Sequence, residues 1–543
     1  MPRGNIDTQR DTQRRLDSLM VHVREKELPL LIILLAAVYC IAGIVIYRLD
    51  HHAFLYFGDA ASHIVRARQF FDSQRPGFHN IGTVWLPLPH LILLPLVAFD
   101  ALFYSGIAGP MIGIPCLVGT ALLLFLMVRR ITGSPAVAFL SACLFGLNPN
   151  LVYMALTPMN ETILLFLVAF GGYAMMQWHV SGRNVWLWTS AAAVVLACLC
   201  RYEAWLLVPL LSLICGAQGR VLWQRGERAA SARLFAIAGV CWLGIAFWLS
   251  WNYAEYHDPL FFSRWTYAVA AGHGQANIRQ APLDVLAIFG TALLVIFGPV
   301  LLLTALWGAL PFPGTHSAQL HRGLLLLFLG LPAVFALAAI LAGFVQVDHW
   351  RWNWRYVLTA SLFLSVAAGM GISRFSGRVH SALGRSVGLV SLFAMPLVQL
   401  LLPDVGVATF DDARRSVNDE TRFAVVAGEH LRGIYTDGSI ALLTGYGQAQ
   451  RLMLSSGLPL KQFHIMYNPA EQDILGSLEH SERYLVIAKD RTVESAQFID
   501  SWLSRRDELL RYYTIRFENG HHILLERLPS PASPAIEHPG RVP

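Results

Sequence analysis

The sequence predicts a polytopic α-helical membrane protein of about eleven transmembrane helices, with juxtamembrane helices at the outer face and a C-terminal extracytoplasmic α/β domain. Of its 543 residues, 55% are hydrophobic and only 14% are charged, whereas soluble domains carry roughly 25% charged residues. Apolar runs of about 20 residues recur from Leu28 to Leu402, and this length crosses a hydrocarbon core of ~30 Å. These observations exclude a soluble globular enzyme, a disordered chain and a fibrous protein.

Charge and cysteine content narrow the class further. The formal net charge is +6, but the basic residues are scattered over short loops rather than massed in one patch, so we expect no nucleic-acid partner. The seven cysteines lie in or beside apolar runs and form no CxxC pair. They predict small buried side chains rather than a disulfide framework or a metal site.

We predict four parts along the chain. Residues 1–27 form a cytoplasmic N-terminal tail, and residues 28–403 form the transmembrane domain, whose first outer loop is 49–106. Residues 404–528 form the extracytoplasmic α/β domain, and residues 529–543, which are rich in Pro and Ser, form a disordered tail.

The predicted spans follow the apolar runs and the arginines between them. Leu86–Phe103 is long enough to cross, but it contains three prolines. If it crossed, the arginine-rich loops would lie outside, against the positive-inside tendency. We therefore predict an interfacial or re-entrant element at the outer face of the inner membrane, with the N-terminus inside and the C-terminus outside. The eleven predicted spans are 28–48, 107–128, 136–153, 162–178, 185–200, 203–215, 234–252, 285–309, 323–345, 356–372 and 386–403.

The sequence of the tail domain predicts alternating helices and strands. Helical periodicity covers 416–431 and 493–510, and buried-strand patterns cover 439–443 and 484–488. A hairpin is predicted from 513–517 and 522–525, which flank the turn residues Asn519 and Gly520.

Ionisable residues concentrate in the predicted outer loops and are almost absent from the middles of the spans. This pattern favours a site at the outer membrane–water boundary over a transport path, because transporters place ionisable groups or broken helices near the midplane. The main loop residues are Asp59, His63, Arg66, Arg68, Asn160, Glu161, Arg201, Glu203, and the run from Asp348 to Tyr356.

The first outer loop carries the clearest constellation. Asp59, His63 and Arg66 stand at i, i+4 and i+7, which places them on one face of a helix. A carboxylate there can act as a general base, and an arginine two turns on can hold a phosphate. The alternative is that Asp59 caps the helix, because Asp before an apolar-periodic run is a common N-cap.

The stretch GDAASHIVRARQFFDSQRPGFHNIGTVWLPLPH, at Gly58–His90, resembles the first outer loop of the polyprenyl-phosphate-dependent glycosyltransferases of the C superfamily. These include the protein O-mannosyltransferases and the aminoarabinose transferase of lipid A. Asp59 occupies the acidic position of that loop, and Ala60 stands where a second acid often follows. Similar segments are HDPLFFSRWTY, at His257–Tyr267, and NWRYVLTASLF, at Asn353–Phe363.

The resemblance implies an integral-membrane glycosyltransferase that moves a sugar from a polyprenyl-phosphate donor to an acceptor hydroxyl on the extracytoplasmic side. Asp59 would be the base of an inverting displacement, and no cofactor or divalent metal is expected. The acceptor is a protein, a lipid or a glycan. Donor-phosphate binding is implied for Arg66, Arg201 and Arg355, and substrate contacts are candidates for His63, Glu203, Asp348, Tyr356 and Trp85.

Several of these residues also have structural interpretations. Arg201 and Glu203 can form an ion pair that holds two spans together. Arg355 and Tyr356 begin a span, where interfacial anchors are common. Glu161 can sit in the first turn of a helix, favoured by the helix dipole.

Two other functions remain open from the sequence. One is a transporter or flippase of lipid-linked sugars, which would need polar residues along the spans. In the other, the membrane part serves only as an anchor and the tail domain carries the activity.

Overall fold

The computed structural model describes residues 26–82, 84–264, 280–311, 315–379, 381–402, 405–465, 482–489 and 496–528. The predicted disordered tail at 529–543 and nearly all of the predicted cytoplasmic tail therefore lie outside the described residues.

All the regular secondary structure in the described residues of the membrane part is helical. Its helices are α1 (Glu27–Leu49), α2 (Gly58–Gln69), α3 (Leu88–Val97), α4 (Asp100–Tyr104), α5 (Ala108–Thr132), α6 (Pro135–Gly146), α7 (Pro149–Ala155), α8 (Glu161–Ser181), α9 (Asn184–Cys198), α10 (Leu207–Gln224), α11 (Arg228–Val240), α12 (Leu243–Tyr256), α13 (Pro282–Phe297), α14 (Pro299–Ala309), α15 (His316–Leu341), α16 (Ser361–Arg378), α17 (Ala382–Ser391) and α18 (Ala394–Leu401). Short 3₁₀ helices lie at Ala53–Leu55, Phe78–Asn80, Tyr202–Ala204 and Trp354–Ala360.

The helices confirm a polytopic membrane protein. Among the described residues, seven helices are long and apolar enough to cross a membrane, with α11 and α12 counted as one helix, Arg228–Tyr256. The number rises to as many as ten if each sharply bent pair of helices is one span. Every one of the eleven predicted spans falls on such a helix, on a bent pair, or on the 15-residue helix α9.

The proline-rich stretch after the first span forms two short helices rather than one long one. Helix α3 has ten residues, so it is about 15 Å long and too short to cross a core of ~30 Å. It packs against α2 and α5. This stretch therefore rests on the helices around the first loop, as the arginine distribution predicts for a segment that does not cross.

The predicted span 285–309 is broken rather than continuous. Helices α13 and α14 meet at 101°, where Gly298 has φ +80°, a conformation that favours glycine. The backbone carbonyls freed at the break accept buried amide hydrogen bonds, from Asn148 Nδ2 to Ile296 O at 2.9 Å and from Gln399 Nε2 to Val295 O. These bonds matter because buried carbonyl groups are costly when unpaired.

The tail domain is an α/β unit, as predicted. Its helices are α19 (Ala408–Arg415), α20 (Asp419–Ile434), α21 (Tyr446–Ser456) and α22 (Ala496–Leu509), with a 3₁₀ turn at Leu460–Gln462. Its strands are β1 (Ile440–Leu443), β2 (Phe463–Ile465), β3 (Tyr484–Ala488), β4 (Tyr513–Glu518) and β5 (His522–Arg527).

These strands form one sheet in the order β2-β1-β3-β5-β4. Strands β2, β1 and β3 are parallel, and β3, β5 and β4 pair antiparallel. The hairpin predicted around Asn519 is the β4–β5 pair, whereas the sequence patterns missed β2, α19 and α21.

The tail domain packs directly on the first loop. Ile64 and Val65 of α2 share one buried core with Leu452 and Met453 of α21. Arg451, which is also buried, donates from Nη2 to the carbonyl oxygen of Tyr56 at 2.5 Å. These contacts with the tail domain therefore fix the position of α2, the helix that carries Asp59.

Candidate active site

Asp59 lies in the first turn of α2, but it does not cap the helix. The N-cap residue is Phe57, and no side chain caps this end. The Asp59 carboxylate instead accepts a hydrogen bond from Arg355 Nη2 at 2.6 Å, across 296 positions of sequence. Its side chain is 36% exposed, so the carboxylate is open to solvent while it is held by the arginine. The capping hypothesis is wrong for this helix.

Arg355 is positioned by the 3₁₀ helix Trp354–Ala360 at the start of its span. Its guanidinium is buried and lies 5.0 Å from the ring centre of Phe57 and 5.7 Å from that of Tyr356. Aromatic faces stabilise a cation at this distance. Arg355 is therefore fixed in the site rather than anchored in the interface as a solvated residue.

A second guanidinium lies beside the first. Arg201 Nη1 donates to Glu161 Oε1 at 2.8 Å, and its Nε and Nη2 donate to Glu203 Oε1 at 3.0 and 2.6 Å. Glu161 Oε1 is also 3.7 Å from Arg355 Nε. Because Glu161 is the first residue of α8 and is buried, its carboxylate joins the two arginines in an environment that strengthens electrostatic interactions.

Three polar atoms of this network are buried without a hydrogen-bond partner. They are Glu161 Oε2, Arg355 Nε and Asp412 Oδ2. Buried polar groups in native proteins are nearly always paired with protein or ordered water. Such a cluster therefore provides donors and acceptors for a bound group.

The tail domain contributes Asp412 to the same site. Burial, together with the neighbouring carboxylates of Asp59 and Glu161, raises the pKa of Asp412 to about 7. Arg355 and the backbone N–H of Asn353 act in the opposite direction. Asp412 therefore lies, together with Asp59, in the electrostatic field of Arg355, and its buried carboxyl group changes its protonation state near neutral pH.

His63 lies on the same helix as Asp59 and is fully enclosed. Its Nδ1 is 2.9 Å from His90 Nε2, and its ring is 5.1 Å from that of Trp85 in an edge-on arrangement. Burial, together with the positive charges of Arg201 and Arg355, lowers the pKa of His63 to about 3. His63 is therefore a neutral residue of the site wall at neutral pH.

Two predicted residues do not join the ion-pair network. Arg66 is half-buried on α2, and its charge acts on His90 and Tyr256. No ion pair connects it to Asp59 or Glu161 among the described residues. Asp348 accepts the backbone N–H groups of Trp350 and Trp352 at 2.8 and 2.9 Å, so its carboxylate orders its own loop.

The structure therefore brings five of the predicted residues together and adds two. The sequence favoured a helix-dipole role for Glu161 over a catalytic one, and its place in a polar loop was the signal for the second. Asp412 had no sequence signal, because the tail domain carried no motif. The five predicted residues are Asp59, Arg201, Glu203, Arg355 and Tyr356, the last of which lies 5.1 Å from the Arg201 guanidinium.

Fold and site together define a polytopic membrane protein whose charged cluster is built from the loops at one end of its spans. Its fold is that of ArnT from Cupriavidus metallidurans, which was solved bound to undecaprenyl phosphate. The two share 13% identity at a TM-score of 0.55, with 91% of this chain and 98% of that one covered. The apo form of the same protein aligns with a TM-score of 0.52, 12% identity, and coverage of 90% and 98%.

A weaker alignment, with a TM-score of 0.46 and 11% identity, is to the oligosaccharyltransferase AglB from Archaeoglobus fulgidus, over 89% of this chain and 73% of that one. No protein-family model and no curated protein matches the sequence. The chain thus shares the fold of ArnT, which confirms the resemblance seen in the first loop at the level of the fold alone.

Proposed function

We propose that the protein is an integral-membrane glycosyltransferase that moves a sugar from a polyprenyl-phosphate donor to an acceptor hydroxyl at the extracytoplasmic face of the inner membrane. The observation that carries this proposal is the pairing of the open Asp59 carboxylate with the buried guanidinium of Arg355 at 2.6 Å. A base and a phosphate-binding group stand side by side there. The similarity in fold to a protein solved with undecaprenyl phosphate supports the same donor class.

In the proposed reaction, Asp59 takes the proton of the acceptor hydroxyl, and the resulting oxygen attacks the anomeric carbon. The bond between that carbon and the phosphate oxygen breaks, and the lipid phosphate leaves with the bonding electrons. One carboxylate base with a phosphate leaving group favours direct displacement and inversion, since retention usually recruits a second carboxylate as nucleophile.

The leaving phosphate gathers negative charge, which preorganised cations stabilise. A guanidinium has five N–H donors, and Arg355 donates one of them to Asp59, while its Nε has no hydrogen-bond partner. Arg355 can therefore hold the phosphate and Asp59 together, and Arg201 lies within the same carboxylate network. We assign donor-phosphate binding to these two residues, and this chemistry requires no metal ion.

The test is sugar transfer by the purified full-length protein in proteoliposomes, with polyprenyl-phosphate sugars as donors. Asp59→Asn keeps the shape and hydrogen bonding of the side chain but removes the base, so we expect transfer to fall about 10²–10⁴-fold. Asp284→Asn, at an exposed aspartate in the first turn of α13, is the matched control. Near wild-type transfer by Asp59→Asn would show that the base assignment is wrong, whereas sugar counterflow without transfer would refute the transferase and favour a transporter.

A further inference from the structure

A separate cavity of about 540 Å³ lies between the loop before Arg355 and the tail domain. This volume falls in the range of small-molecule sites, which is about 300–1,000 Å³. Its lining residues are His349, Trp350, Arg351, Asp411, Arg414 and Arg415.

The cavity lining carries an excess of positive charge. Arg351 is paired with Asp411, which fixes the loop to helix α19. Arg414 and Arg415 are exposed, and in the described part of the chain neither has an acidic side chain within 4 Å. Two guanidinium groups are thus available to a ligand, and planar guanidinium forks match phosphate and carboxylate oxygens.

The cavity and the candidate active site are built on the same two segments of the chain. Arg351 and Arg355 are four residues apart on one loop, and Asp411 and Asp412 are adjacent on α19. The loop is held in an unusual shape, since Arg351 and Asn353 have φ of 79° and 60°, which non-glycine residues rarely adopt. A ligand in the cavity would therefore contact the loop and the helix that also carry Arg355 and Asp412.

We propose that this cavity binds an oxyanionic group, a phosphate or a carboxylate, of the acceptor substrate and so holds the acceptor hydroxyl near Asp59. This inference rests on the proposed transferase function. The donor phosphate is a poorer occupant, because it is assigned to Arg201 and Arg355, whose side chains are only 11% and 10% exposed. The Arg414 and Arg415 side chains, by contrast, are exposed on the tail domain.

Binding can be measured without any transfer reaction. The full-length protein in neutral phosphatidylcholine nanodiscs is titrated with glucose 6-phosphate, glucuronate and glucose at low ionic strength. We expect both anionic sugars to bind and glucose to bind at least about tenfold more weakly, because charge-assisted hydrogen bonds are the strong ones. The double variant Arg414→Gln with Arg415→Gln should lose the preference for the anions.

The matched control is Arg220→Gln with Arg225→Gln, which removes the same charge from exposed positions elsewhere and should leave binding unchanged. Equal binding of glucose and the anionic sugars, or unchanged binding in the Arg414/Arg415 variant, would overturn the inference. It would also be overturned if that variant altered only the attachment of phosphatidylglycerol vesicles, since the arginines would then serve lipid headgroups.

The two proposals fail separately. Loss of transfer in Asp59→Asn with unchanged anion binding in the Arg414/Arg415 variant would leave the transferase standing without the acceptor site. Absence of sugar transfer in the wild-type protein, together with the expected binding difference, would leave an anion site in a protein of another function.

Discussion

Replacing Glu161 by Gln tests whether its carboxylate holds the two arginines of the site together. The change keeps the size of the side chain and removes its charge. Glu161 Oε1 accepts from Arg201 Nη1 at 2.8 Å and is 3.7 Å from Arg355 Nε. The Glu161 side chain is 2% exposed, and those of Arg201 and Arg355 are 11% and 10% exposed.

The expected loss of stability follows from this burial. Two unit charges 4 Å apart interact by about 4 kcal/mol at an effective dielectric constant of ~20, and breaking a buried pair costs about 3–5 kcal/mol. Arg201 keeps Glu203 and Arg355 keeps Asp59, so we expect the lower end, about 3 kcal/mol. By contrast, the Asp59 side chain is 36% exposed, and Asp59→Asn should cost no more than about 1 kcal/mol.

The assay is thermal unfolding of the purified protein in detergent, followed by tryptophan fluorescence, together with the transfer assay. Glu161→Gln should lower the Tm clearly and weaken donor binding, because the arginines lose their common partner. Asp59→Asn should lose transfer with little change in Tm. A Tm that drops more in Asp59→Asn than in Glu161→Gln would refute the description of Glu161 as the bridge between the arginines.

Three further outcomes are expected. Burial raises the pKa of Asp412 to about 7 in the folded protein. Its protonated carboxyl group therefore contributes to the stability of the fold. This contribution is complete below the unfolded pKa of ~3.9 and is lost as the pH rises through about 7. Asp412→Asn should therefore reduce the fall in Tm between pH 5 and 8, and an unchanged Tm profile would contradict this. Gly113→Ala should destabilise the protein by about 1–3 kcal/mol, because the new Cβ would overlap the backbone oxygen of Ala155. Gly290→Ala is the control, since a Cβ at that position meets open space. Equal Tm values for the two variants would contradict the close packing at Gly113. Treatment with EDTA should leave transfer within about twofold of the untreated enzyme, since guanidinium groups can carry the leaving-group charge, and full loss restored by a divalent cation would refute a metal-free site.

Local patterns predicted the elements of this fold well where one physical requirement dominates. Apolar runs long enough for a bilayer identified the spans, buried-strand patterns identified β1 and β3, and strand patterns flanking a turn identified the β4–β5 hairpin. The break at Gly298 was missed, because an apolar run reads the same whether it is straight or bent. Its bend depends on carbonyl partners supplied by Asn148 and Gln399, which are distant in sequence.

The candidate site was predictable only in part. Asp59 stood out because it follows the first span on a helix with helical spacing. The sequence could not distinguish a cap from a catalytic base, since both need a carboxylate near a helix start. In the structure, the Asp59 carboxylate accepts a hydrogen bond from the distant Arg355 instead of capping the helix.

The amino-acid sequence by itself determined that this chain lies in a membrane and that its charges gather at the ends of the spans, because hydropathy and helical period are properties of neighbouring residues. Only the tertiary structure decided that Glu161 joins two arginines and that Asp412 of the tail domain enters the same site. Those contacts arise when helices separated by hundreds of residues pack together, and the distances between their charged groups then set which side chains are paired.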